Sequence, residues 1–158
     1  FFFFQSDLSG YHMATRPKPF YKHFLTIPTR WGDNDMYGHV NNIVYYSWFD
    51  TVINEFLITS GGLNPVKDKI VGFCVDSSCK FYKPVSFPAI VSAGLSVVKI
   101  GTSSVTYEVG IYEGDGAYCN AQGTFVHVFV DKTTQRPVAV PAQIKAALDN
   151  IYVRQALL

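Results

Sequence analysis

Residues 40–62 read VNNIVYYSWFDTVINEFLITSGG, and this stretch decides the fold. Ser47, Asp50, Thr51, Asn54 and Glu55 recur at i, i+3, i+4, i+7 and i+8, which gathers them on one narrow face of a helix. Val44, Tyr45, Trp48, Phe49, Val52, Ile53, Phe56 and Leu57 cover the rest of the circumference, so the helix must be buried on most sides. Asn41 or Asn42 can cap its N-terminus, since an Asn side chain accepts from an amide of the first turn, and Gly61-Gly62 can end it. The predicted element has about 20 residues and, at ~1.5 Å each, spans roughly 30 Å.

On its N-terminal side, residues 20–29 are rich in β-branched and aromatic side chains and read as a strand after the extended lead-in marked by Pro17 and Pro19. Residues 32–39, GDNDMYGH, are too polar and glycine-containing to continue that strand and form a loop into the helix. After Pro65 the pattern alternates. Val105, Tyr107, Val109 and Ile111 oppose Ser104, Thr106, Glu108 and Gly110, while Ala117, Cys119, Ala121, Gly123, Phe125, His127 and Phe129 are expected to share one face. Strands are predicted near 70–82, 89–100, 103–113 and 116–131, separated by Lys83-Pro84, Gly101-Thr102 and Glu113-Gly114-Asp115-Gly116. Pro141 opens a short helix from Ala142 to Asp149. One strand, one long apolar helix and four more strands make an α+β architecture, a curved antiparallel sheet wrapped around the helix.

The 158 residues suit a single domain, taken as 13–158. Residues 1–12, beginning Phe1 to Phe4, Gln5 and Ser6, look like protease-site and restriction-site remnants of an expression vector ahead of a start at Met13. Thirteen Lys and Arg against 12 Asp and Glu leave a net charge of +1, so neither nucleic acid nor a membrane surface is an expected partner. No stretch approaches the ~20 apolar residues of a membrane span. Charged residues make up only 16%, which predicts that another copy of the chain covers part of the surface. Cys74, Cys79 and Cys119 form no even framework and no C-x-x-C, and there is no N-x-[ST] sequon; they read as small buried strand residues of a cytoplasmic protein.

Phosphate-binding glycine loops, G-x-S-x-G and H-E-x-x-H are absent, and no cluster of His and Cys has zinc spacing, so no metal or cofactor is expected. Polar residues concentrate instead where the loop enters the helix: Asp33, Asn34, Asp35, His39, Asn41 and Asn42. A helix N-terminus offers unpaired N–H groups and about half a positive charge, the equipment that stabilises an oxyanion when an acyl carbonyl is attacked. A carboxylate beside it can attack the carbonyl or activate water, and Asp35 is placed to do so. Asp33 is read as a hydrogen-bonding support for the loop. Tyr37, Tyr45, Trp48 and Phe49 can serve either as core or as the wall of an acyl pocket. Lys80, Lys83 and Lys99 are either solvated strand ends or contacts for phosphate.

The run from Arg30 to Asp50, RWGDNDMYGHVNNIVYYSWFD, resembles the signature of hot-dog-fold acyl-CoA thioesterases of the 4-hydroxybenzoyl-CoA thioesterase class, through D-x-D-x-x-G-H-V-N-N and, by strand order, over about residues 20–150. The resemblance implies that Asp35 is the catalytic carboxylate and that backbone amides around Asn41 and Asn42 polarise the thioester carbonyl. Asp33 and His39 would support them, and Lys80 and Lys83 would meet the phosphates of coenzyme A, which enters only as part of the substrate. It further implies acyl-CoA or an acyl carrier protein thioester as partner, and a dimer with sheets joined edge to edge, or a dimer of dimers. Whether Asp35 attacks directly or deprotonates water stays open at this level. Two other functions are considered on the same fold. A non-catalytic acyl-thioester-binding protein would ordinarily lack the acidic residue, which is present. An enoyl-CoA hydratase needs a G-D-x-N-P-x-H run, and here Asn34 is followed by Asp35 instead of Pro.

Overall fold

A computed structural model describes residues 15–154. The segment 1–12 assigned to vector sequence lies outside the described residues. Five strands, β1 (His23–Pro28), β2 (Ile70–Phe81), β3 (Ile90–Ile100), β4 (Ser104–Glu113) and β5 (Cys119–Asp131), form one antiparallel sheet in the order β1-β3-β4-β5-β2. Helix α1 (Asn42–Thr59) connects the two edge strands, so it has to cross the sheet; α2 (Ala142–Asn150) follows β5. The curved sheet wrapped around one long hydrophobic helix is the α+β architecture expected from the order of elements, and the hot-dog fold that the resemblance implies. Among the described residues no helix is long and apolar enough to cross a membrane.

Helix α1 has 18 residues and buries Tyr45, Trp48, Phe49, Val52, Ile53, Phe56 and Leu57, while Ser47, Asp50 and Thr51 of the polar stripe stay exposed. It packs on the alternating residues of the central strands, among them Leu95, Val109 and Ile111, all fully buried. Each such side chain contributes about 1.5–3 kcal/mol when removed from water. The helix approaches β5 so closely that a methyl group at Gly123 would collide with the Phe49 ring and lie 2.5 Å from the Ser78 carbonyl oxygen. Glycine is required there by space.

Four features depart from the sequence reading. The first strand begins at His23, because the chain from Lys18 to Phe20 makes a 3-10 turn carrying Pro19. Ala117 and Cys119 do not share the core face of β5. Ile111 pairs with Ala121 but Tyr112 with Cys119, so Asn120 is an extra residue in a bulge that turns Cys119 to the outer face beside Tyr21 and Tyr112. Ala117 remains exposed in the turn. Of the three cysteines only Cys119 is buried, and Cys74 is exposed on the edge strand β2. Finally, the outer face of the sheet is covered: the Tyr21 ring lies over Gly94 and Gly110, and Arg16 pairs with the buried Glu108 at 3.0 Å.

His127 is also buried, edge-on to Tyr107 and Phe125 with ring centroids 5.3 Å away in each case. Among the described residues its Nδ1 and the Tyr107 hydroxyl have no hydrogen-bond partner. Burial lowers the His127 pKa to about 4, because a charged imidazolium would be desolvated.

Candidate active site

The chain from Arg30 to Asn42 is held by its own side chains before it becomes a helix. Asp33, 1% exposed, accepts the Arg30 N–H at 2.7 Å and the Arg30 guanidinium at 2.9 and 3.0 Å. Its carbonyl oxygen accepts the Asn41 N–H at 2.8 Å, so one residue anchors both the loop and the start of α1. Asn34 Oδ1 accepts from the Phe87 N–H at 3.0 Å, and the Ser86 hydroxyl donates to the Gly38 carbonyl at 2.9 Å. Residues 35–38 close a tight turn in which the Gly38 N–H reaches the Asp35 carbonyl at 3.1 Å. Gly38 has φ +82°, a left-handed conformation that side chains disfavour, although a Cβ there would touch nothing.

This turn fixes the Asp35 carboxylate. Oδ1 accepts the Tyr37 N–H at 2.8 Å, and among the described residues Oδ2 has no donor. One oxygen is thus anchored and the other is left for a ligand. The start of α1 shows the complementary arrangement. Asn41 caps the helix by accepting the Ile43 N–H at 3.1 Å, its own N–H goes to Asp33, and Val44 N–H turns back to the Asn41 carbonyl at 3.0 Å. The Asn42 N–H alone has no acceptor among the described residues. It sits at the positive end of an 18-residue helix dipole.

Asp35 and Asn42 line the same cavity of about 220 Å³, together with Tyr37, His39, Val40, Asn41, Tyr45, Phe81, Lys83 and Pro84. The mouth is polar and exposed, whereas Val40 and Tyr45 are 6% and 3% exposed. Burial pushes the Tyr45 hydroxyl up to about 12, with the Val85 backbone opposing the shift. Hollows of about 260 and 360 Å³ beside α2 hold none of the candidate site residues.

The sequence candidates therefore fall into groups. Asp35, His39, Asn41, Asn42 and Lys83 come together at the cavity, and Asp33 stands behind it. Lys80 does not join them: Phe81 faces the cavity, so its neighbour in β2 faces the outer side, opposite Gln122. Lys99 lies at the far end of β3, beside Thr106. Tyr37 and Tyr45 line the cavity, whereas Trp48 and Phe49 belong to the core. Sequence reasoning missed Phe81 and Pro84, and it missed Asn120, whose carbonyl accepts the Tyr82 and Lys83 N–H groups at 2.9 and 3.1 Å and so holds the cavity wall. The available signal was an asparagine inside a strand, a residue type that strands disfavour and bulges accommodate.

The family model of the thioesterase-like superfamily matches residues 29–148. A search of curated proteins found no match. Among solved structures, the PA5185 protein of Pseudomonas aeruginosa strain PAO1 is 44% identical, with 88% of this chain and 98% of that one covered and a TM-score of 0.86. The PA2801 protein of the same species, provisionally a thioesterase, is 31% identical over 80% of this chain and 97% of its own, with a TM-score of 0.75. Slr0204 from Synechocystis, a 1,4-dihydroxy-2-naphthoyl-CoA thioesterase, is 15% identical, with 80% of this chain and 94% of its own covered and a TM-score of 0.73, a likeness of fold alone. The chain belongs to the thioesterase-like superfamily and is a thioester hydrolase built on the hot-dog fold.

Proposed function

We propose that the protein hydrolyses acyl-CoA thioesters in the cavity at the start of α1, in the manner of the 4-hydroxybenzoyl-CoA thioesterase class, with Asp35 as catalytic carboxylate. The observation that carries this reading is the opening of one free carboxylate oxygen and one unpaired helix N–H, those of Asp35 and Asn42, onto the same cavity. A thioester whose carbonyl oxygen accepts the Asn42 N–H presents its carbon to Asp35. Attack places negative charge on the oxygen, where the amide and the helix dipole stabilise it; one such donor is worth ~2.7–4 kcal/mol. Collapse expels the coenzyme A thiolate and leaves an acyl-aspartate anhydride that water hydrolyses. In the general-base route the same oxygen instead deprotonates the attacking water. Heavy oxygen from labelled water that enters Asp35 in a single turnover would mark the anhydride route, because the general-base route breaks no bond to the Asp35 carboxyl.

Asp33 fixes the distance between loop and helix, and Asn41 holds the amides of the first turn in place. His39 lines the mouth, and Lys83 there suits the phosphates of coenzyme A or of a carrier protein's pantetheine arm. The proposal needs no cofactor. A second copy is the expected partner, since β2 is an edge strand exposing Phe73 and Val75 at 47% and 60%. The test is thiol release from aromatic, short, medium and long acyl-CoA esters and acyl carrier protein thioesters. Turnover that Asp35→Asn abolishes supports the reading; equal turnover by parent and variant overturns it.

A further inference from the structure

We propose that Tyr45 sets the acyl length this enzyme accepts by closing the deep end of the cavity, which restricts turnover to short or compact acyl groups. The inference rests on the thioesterase reading above and adds a limit that reading does not contain. Tyr45 lies one helical turn after Asn42, and helix side chains lean toward the N-terminus, so its ring comes back over the turn that holds the amide and lines the same cavity. Exposure falls along the cavity from 83% at Tyr37 to 3% at Tyr45, so an acyl group polarised at Asn42 points its tail at the Tyr45 ring.

That ring is held on several sides. It packs edge-on against Trp48 and Phe81 with centroids 5.0 and 5.1 Å away. Trp48 and Phe49, which follow along the helix, are 4% and 0% exposed, belong to the packed core and do not line the cavity. The volume of about 220 Å³ is below the roughly 300–1,000 Å³ of pockets that engulf a whole drug-sized ligand. The cavity therefore holds the acyl end of the substrate and leaves the coenzyme outside.

The experiment measures kcat/KM for acetyl, butyryl, hexanoyl, octanoyl, decanoyl and myristoyl-CoA, and by calorimetry the binding of the matching non-hydrolysable alkyl-CoA thioethers, with the parent, Tyr45→Leu and Tyr45→Phe. For the parent, kcat/KM and affinity are expected to fall at least about tenfold from hexanoyl to myristoyl. Tyr45→Leu keeps apolar contact but removes the ring's reach, and should move both optima about two to four carbons longer. Tyr45→Phe keeps the ring and should keep the parent's length profile. A parent that takes myristoyl as readily as butyryl overturns the length stop, as does a cooperatively folded Tyr45→Leu with the parent's profile. If Tyr45→Leu fails to fold, the parent's profile and that of Tyr45→Phe still decide. Thioether binding graded by length without hydrolysis of any ester would sustain the length stop while overturning the thioesterase reading. Neither binding nor hydrolysis overturns both.

Discussion

At the start of α1, the Asn42 N–H and one oxygen of Asp35 lack partners among the described residues and open onto a cavity. In the core, His127 Nδ1 and the Tyr107 hydroxyl also lack partners among the described residues, but both residues are sealed among aromatic rings at 2% and 0% exposure. The polar atoms are equally unpaired, and access to water separates their consequences. Groups on a cavity are solvated until a ligand displaces the water, so they are available for binding and chemistry at little loss of stability. A sealed group forfeits its hydration with no return, on the order of 1–3 kcal/mol each. The comparison teaches that an unsatisfied donor or acceptor is functional or merely destabilising according to what can reach it.

The comparison breaks most directly at Asp35. Replacing it with Asn removes the nucleophilic or basic oxygen while keeping its shape on a half-buried loop. Turnover should fall ~10²–10⁴-fold while the melting temperature stays nearly constant, as thiol release and calorimetry would show.

The sealed region should respond to pH instead. His127 is neutral in the folded protein down to about 4, against 6.5 when unfolded. Below 6.5 the unfolded chain therefore binds a proton that the folded one does not, so stability declines as pH falls from 6.5 toward 4. The loss is on the order of 3 kcal/mol at the acid end of that window. Urea unfolding across the window should show this slope in the parent and a flatter one in His127→Phe; parallel slopes would show that another group carries the acid sensitivity.

Smaller effects sharpen the contrast. Asn41→Ala removes the cap and should cost about 1 kcal/mol of stability, with a loss of activity because the Asn42 amide loses its fixed position. Loss of activity without a melting shift would place the Asn41 side chain on the substrate instead. Tyr107→Phe deletes a buried hydroxyl without a partner and should be neutral or slightly stabilising, within about 1 kcal/mol in urea unfolding.

Much of this was legible in the chain. Helix α1 could be read because its polar stripe follows the helical period and its capping Asn and terminal Gly are local signals. Strands β2 to β5 were placed within a few residues because alternation and glycine turns are also local. That Asp35, Asn41 and Asn42 line one cavity could be expected because a loop and a helix start adjoin in sequence. The places of Asn120 and Phe81 and the face taken by Lys80 were not legible. Their faces depend on a bulge and on strand register, which pair residues distant in sequence. The cover over the outer face was hidden for the same reason: Arg16 meets Glu108 across 92 positions.

The sequence by itself determined the periodicities, and through them a long apolar helix wrapped by an antiparallel sheet with a polar loop at the helix start. Hydrophobic period and capping act over a few residues and survive in the linear string. Tertiary structure alone decided which amide stays unpaired, which lysine reaches the cavity, that Phe81 and Tyr45 line it together, and that His127 is sealed. Those are matters of distance and access to solvent, set by contacts between segments far apart in the chain.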